Sequence, residues 1–209
     1  MLADILHYKG QAVQLPLPKI PEIIDINPLE NSQYLQLQRV RFKENDTIKV
    51  WDITNTHDNV AILLYEKEKD GFIFVRQFRV SVFLKNPNHG YMYELCAGIC
   101  DKDISLDEIS RQEILEECGY HISLENLHFI NQFYSSVGIN GSRQYLFYAE
   151  VCERDRKSKG GGNKDENEYI DIIFVPRNLI NEFLQDCKCP TTQSLVYAIS
   201  WFKTFKSKL

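Results

Sequence analysis

Long apolar runs are missing from this 209-residue chain, and none approaches the roughly 20 residues that a membrane-spanning helix needs. A basic surplus is missing as well. Lys and Arg number 24 against 29 Asp and Glu, a formal net charge of -5, so the balance argues against a nucleic-acid partner. A small phosphorylated substrate stays open, because Mg²⁺ can supply positive charge that the protein lacks. The opening Met1-Leu-Ala-Asp-Ile-Leu-His7 has no basic segment and no apolar stretch of signal-peptide length, so a cytoplasmic protein is expected. The six cysteines (Cys96, Cys100, Cys118, Cys152, Cys187 and Cys189) form no Cys-x-x-Cys, and no His-x3–5-His accompanies them. Reduced, packed thiols are therefore expected in place of a zinc site. No internal repeat is present, and Gly160 to Lys164 lacks the Gly-x4-Gly-Lys-Ser/Thr pattern of a phosphate-binding loop.

What is present is an ordinary folded composition, 44% hydrophobic and 25% charged, which excludes a disordered tail. The first thirty residues carry Pro16, Pro18, Pro21 and Pro28 and read as an extended arm. Residues 1–45 are assigned to an arm with dimerisation strands and 46–209 to the main domain. β-like runs follow at Tyr34–Phe42, Thr47–Ile53, Asn59–Tyr65 and Phe72–Val80, with Asp70-Gly71 as a hairpin signal between the last two. Further strands are expected at Tyr91–Cys96, Phe129–Tyr134, Gln144–Val151 and Tyr169–Val175, and helices at Asn178–Gln185 and Thr191–Lys203. Ser105-Leu-Asp-Glu108 has the form of a capping box opening a helix that Gly119 would end. The charged, Gly-rich stretch from Glu153 to Lys164 reads as a mobile surface loop. Strands and helices interleave without regular βαβ alternation, which favours an α+β or sandwich architecture.

The informative helix carries Glu113, Glu116 and Glu117 at i, i+3 and i+4, on one face. At about 100° per residue they continue the sector of Leu106 and Ile109, so they are expected to look into a cleft. Two carboxylates ~4 Å apart repel by about 4 kcal/mol at an effective dielectric near 20. A hard divalent cation removes that conflict, and clustered oxygens suit Mg²⁺. Spacing alone leaves a plain acidic helix surface equally open.

The surrounding residues resemble the Nudix hydrolase family. Its box runs Gly, five residues, Glu, seven residues, Arg-Glu-hydrophobic-x-Glu-Glu-x-Gly-hydrophobic. Gly98, Glu113, Ile114, Glu116, Glu117, Gly119 and Tyr120 fit in register, while Ile104 replaces the first Glu and Gln112 the Arg. The segments Trp51–Asp58, Arg76-Gln-Phe-Arg79, Glu94–Gly98 and Val137–Gln144 are similar to the UDP-sugar diphosphatase subgroup, with ADP-ribose pyrophosphatases as wider relatives.

The resemblance implies an αβα sandwich with a mixed sheet and an N-terminal β arm. It also implies a homodimer and Mg²⁺-dependent (or Mn²⁺-dependent) hydrolysis of UDP-glucose to UMP and glucose 1-phosphate. Carried over, the metal ligands are the Ala97 carbonyl, Glu113 and Glu117, with Glu116 alongside. The catalytic carboxylate falls on Glu166, with Glu168 as fallback. Arg79, closing a strand, is placed to grip phosphate bidentately, or is a surface arginine. Gly138 and Gly141 flank a turn that can present N–H groups to phosphate or sugar, or is a turn alone. Ser142-Arg143 stands where ADP-ribose hydrolases commonly have a Glu after the Ser, which favours UDP-sugars. Trp51 is a candidate to stack on a base, or a core aromatic. Two alternatives stay open: an ADP-ribose or ADP-sugar pyrophosphatase, as in the wider relatives, and a non-catalytic nucleotide-binding module, suggested by Ile104 and Gln112.

Overall fold

A computed structural model describes residues 4–8, 11–15, 20–29, 31–32, 35–163, 165 and 167–206, the first two segments by backbone alone. Its centre is β5 (Asn59–Glu66), whose sequence Asn-Val-Ala-Ile-Leu-Leu-Tyr-Glu is apolar on both faces. A strand of that kind needs cover on both sides. Alternate residues meet different layers. Ala61 and Leu63 join a core with Phe183 of α3 (Ile180–Gln185) and with Leu195, Ile199 and Phe202 of α4 (Gln193–Phe205). Val60, Ile62 and Leu64 join a second core with Ile109 of α2 (Leu106–Glu113) and with Ile114 and Cys118 just beyond it. The period-2 alternation thus produces the α+β, αβα sandwich.

The sheet is mixed. β10 (Arg143–Val151) runs parallel to β5, and β9 (Leu127–Tyr134) lies antiparallel beyond it. β6 (Gly71–Phe78) pairs antiparallel with the end of β5 at Leu64, Tyr65 and Glu66, and β11 (Asp171–Pro176) closes that edge. Between the diverging halves of β5 and β6 sits a pair of short strands. β7 (Tyr91–Glu94) pairs with β6, and β8 (Cys96–Ile99) pairs with β5. The single strand expected at Tyr91–Cys96 therefore breaks at Leu95, where the chain changes partner.

One strand boundary and the course of one helix differ from expectation. The strand expected to reach Val80 stops at Phe78, and Arg79 becomes the N-cap of a short helix α1 (Val80–Lys85). Val80-Ser-Val-Phe has a β-like composition, and no side-chain capping bond marks the helix start. α2 starts where expected, with Glu108 N–H donating to Ser105 Oγ at 3.2 Å. The return half of the capping box is replaced by Glu108 binding Arg111 at 2.5 Å. The helix then widens into a π-helical turn, Ile114–Cys118, ended by Gly119 at φ +80°.

The stretch expected to be mobile is docked. Gly161 and Gly162 N–H donate to the carbonyls of Glu117 and Glu116 at 2.8 and 3.2 Å, and Lys157 N–H donates to that of Gly119 at 2.8 Å. These bonds satisfy carbonyls that a helix end leaves without partners. Gly160, Gly161 and Gly162 all have positive φ (+64°, +106° and +86°), a run that side chains would oppose.

The N-terminal region forms two hairpins. β1 (Asp4–Tyr8) pairs with β2 (Gln11–Leu15), and β3 (Gln36–Glu44) pairs with β4 (Thr47–Asn55) as a separate two-stranded sheet. Asn45 and Asp46 make the second turn at positive φ, so the boundary expected between 45 and 46 falls inside that turn. Leu37, Phe42, Ile48, Val50 and Trp51 of this hairpin are exposed. Among the described residues no helix is long and apolar enough to cross a membrane.

Candidate functional site

The π-helical turn separates the three glutamates that an ideal helix would align. Glu117 is buried at 3% exposure, Glu113 is half-buried, and Glu116 is exposed. Glu117 Oε2 accepts the Ala97 N–H at 2.9 Å. In an extended strand a residue's N–H and C=O face the same edge, so the Ala97 carbonyl also points to the side of β8 where Glu117 sits. Glu113 lies across Gly98. A Cβ built on Gly98 would come 2.1 Å from Glu113 Oε1, so only glycine admits the carboxylate there.

Burial pushes the Glu117 carboxyl up to about 8, and the nearby charges of Glu113 and Glu168 push the same way, against the Ala97 N–H and Cys96 bonds. Glu168 therefore lies within electrostatic reach of Glu117. It is exposed, and it turns back on its own loop, where its carboxylate accepts the Asn163 N–H at 3.2 Å. Glu166 lies outside the described residues. Among the described residues no group of three His, Cys, Asp or Glu side chains converges to enclose a metal ion. The donors that do meet are Glu113, Glu117 and the Ala97 carbonyl. A buried carboxylate beside two others is an environment that a hard cation relieves, so these residues fit a divalent metal with further positions left to substrate and water.

Gln112 is turned away from this pair. Its Nε2 donates to Glu108 at 3.4 Å and its Oε1 accepts from Lys102 at 3.3 Å. Ile104 is exposed at 41% in the segment before α2. Arg79 stands at the site, since Glu117 and Glu168 both help hold its guanidinium above the usual value after the larger effect of Glu94. Its planar fork is occupied: Nε and Nη2 bind the two Glu94 oxygens at 2.7 and 2.9 Å.

Beside Glu94 and Ala97 opens a cleft of about 560 Å³ between the end of β9 and the start of α4. Phe133, Gln144, Thr192, Ser194 and Tyr197 line it. The 136–142 loop, whose Ser136 also borders the cleft, is anchored to the β3–β4 hairpin. Trp51 Nε1–H donates to the Gly138 carbonyl at 2.6 Å, and Thr54 N–H donates to the Ile139 carbonyl at 2.7 Å. Trp51 remains 54% exposed. Ser142 is buried within the loop, with its N–H on Asn140 Oδ1 at 2.9 Å. Arg143 is bound by Asp58, Nε to Oδ2 at 2.9 Å, and its backbone N–H donates to Asp58 Oδ1 at 2.8 Å. Its guanidinium also lies over an aromatic face, 5.3 Å from the Tyr145 ring centre.

No protein-family model matches the chain. Over 197 residues it is 32% identical to the uridine diphosphate glucose pyrophosphatase NUDT14 of Bos taurus, covering 82% of this chain and 89% of that protein. The chain belongs to the Nudix hydrolase family. The Mus musculus protein of the same name is 32% identical over 198 residues, again covering 82% of this chain and 89% of its own. A GDP-mannose pyrophosphatase of Pectobacterium atrosepticum is 34% identical over 128 residues, covering 61% of this chain and 64% of its own. The crystal structure of an ADP compounds hydrolase superposes with a TM-score of 0.65 at 18% identity, covering 90% of this chain and 97% of that one, which is a likeness of fold.

Within this Nudix domain, four features were not singled out from the sequence as site residues. Glu94 sat in a quoted motif, but nothing in one strand says that it will clamp Arg79. Asp58 gave no sign of its Arg143 partner 85 positions away. Thr192 and Ser194 read only as a helix start. The role of the three glycines could have been found from their run of three, which is costly unless the backbone needs positive φ.

Proposed function

We propose that this Nudix hydrolase cleaves the diphosphate of UDP-sugars, with UDP-glucose giving UMP and glucose 1-phosphate. The observation that carries the reading is the pairing of Glu117 on the Ala97 N–H with Glu113 over Gly98, directly beside a neutral cleft. Mg²⁺, or Mn²⁺ in its place, would be held by the Ala97 carbonyl, Glu113 and Glu117, with Glu116 alongside at the exposed edge. Such an ion neutralises charge on phosphate and acidifies water.

The chain's own groups do the rest. Arg79 and Glu94 fix the border between the carboxylates and the cleft. The electrostatic reach of Glu168 to Glu117 supports a carboxylate of this loop, Glu166 or else Glu168, as the group that takes the proton of the attacking water. The names of the NUDT14 relatives support the uridine choice, and the Ser142-Arg143 sequence agrees with it. The exposed apolar side chains of the β3–β4 hairpin support a homodimer, because a patch of this kind is normally covered.

The deciding experiment compares turnover of UDP-glucose and ADP-ribose at matched Mg²⁺ and after chelation. Metal-dependent release of UMP, with UDP-glucose preferred, is expected. A tenfold preference for ADP-ribose would overturn the uridine assignment, and binding without metal-dependent products would overturn the hydrolase itself.

A further inference from the structure

The cleft between β9 and α4 is chemically unlike the carboxylate side of the same site. Among the described residues Glu94 is its one charged lining residue, and both its oxygens are taken by Arg79. Among the described residues no free cation lines it, so they offer a diphosphate no charge to hold it, and the cleft suits a neutral, polar group. Thr192 is the N-cap of α4, yet its side chain makes no capping bond; its Oγ lies 3.1 Å from Ser194 Oγ, and both side chains line the cleft. Opposite them, Gln144 Nε2 donates to Asn59 Oδ1 at 2.8 Å, which fixes the amide's orientation. Tyr197 is held by Asn131 at its hydroxyl and by Phe133 at its ring, 4.6 Å centre to centre at 69°.

That edge-to-face pair offers apolar ring edges and no parallel slot for a planar base. A planar surface, Trp51, is exposed outside the cleft lining, tied to Gly138. The two halves of a nucleoside diphosphate sugar thus meet different surroundings, and the neutral hydroxyl and amide lining matches a hexose ring.

We infer that the cleft lined by Gln144, Thr192, Ser194 and Tyr197 is the subsite for the hexosyl half of the substrate, and that Thr192 and Ser194 set which sugar is accepted. This rests on the diphosphate-sugar hydrolase reading above. A site built to hydrogen-bond sugar hydroxyls discriminates strongly between epimers, because a misplaced hydroxyl leaves protein groups without partners.

The test uses the full chain with Mg²⁺. Thr192→Val and Ser194→Ala, with Tm measured to confirm folding, are assayed for kcat/KM on UDP-glucose, UDP-galactose and ADP-glucose. The expected result is a change of about tenfold in the UDP-glucose to UDP-galactose ratio, with the UDP-glucose to ADP-glucose ratio unchanged. Unchanged ratios throughout, or a change in the base preference instead, would overturn the subsite. If the wild type turned over none of the three, the parent reading itself would fail, and this one with it. An active wild type whose variants keep the sugar ratio would fail the subsite alone.

Discussion

Two surfaces meet at Ala97 and differ in kind. On one side Glu117, Glu113 and Glu168 crowd negative charge around a buried carboxyl. On the other, hydroxyls, amides and rings line a cleft whose single charge is neutralised. The border is one strand wide, because β7 and β8 change partners at Leu95 and leave Ala97 between the two. The contrast teaches that charge handling and recognition are separable in this domain: the first is built on a helix end, the second on the far layer of the sandwich.

The comparison breaks most visibly at Glu117. Glu117→Gln keeps the Ala97 hydrogen bond and the volume but removes the anion, so the fold should persist while turnover falls by about a hundredfold or more. Steady-state assays with circular dichroism check this, and normal turnover would remove Glu117 from the site. Next comes Gly98→Ala. The new Cβ would force Glu113 off the strand, and displacement of a ligand by about an ångström costs on the order of tenfold to a hundredfold. Its signature is a raised Mg²⁺ requirement for half-maximal rate, with Tm little changed. Gly160→Ala should act less on chemistry and more on stability. Its Cβ would sit 2.4 Å from the Glu117 carbonyl at a φ that side chains avoid, costing about 1–3 kcal/mol in urea unfolding. Undiminished stability would mean that the glycine loop is not docked on the helix.

The comparison also explains what the sequence disclosed. The both-faces-apolar run of β5, the Ser105 cap and the Gly119 terminator are local signals, and each appears where expected. The alignment of Glu113, Glu116 and Glu117 was legible only as an ideal helix. The π-helical turn, which no residue type announces, exposes Glu116 and buries Glu117. Arg79 and Arg143 were legible as cations beside a site, but their partners Glu94 and Asp58 come from strand pairing and loop docking across long separations. The cleft was not legible at all. Its residues come from β9, β10, the β7–β8 break and α4, and only the sandwich brings them together.

The smallest effect on turnover, and the sharpest on the charge side of the comparison, concerns the metal-free protein. Glu117 has its folded-state carboxyl raised from 4.5 to about 8, by burial first and then by the neighbouring carboxylates. Between those values the folded chain keeps a proton that the unfolded chain has released. Stability from this group is thus fully present below about pH 4.5 and lost as pH rises through about 8. The expected loss is on the order of a few kcal/mol across that window. Urea unfolding in the presence of a chelator, from pH 5 to pH 8.5, isolates it as the difference between wild type and Glu117→Gln, since other titrating groups are common to both. The variant should gain on wild type as pH rises, and Mg²⁺ should return stability to the wild type alone at the alkaline end. A difference that stays flat with pH would mean that Glu117 is already solvated or paired, and that the two sides of Ala97 are less unlike than their geometry says.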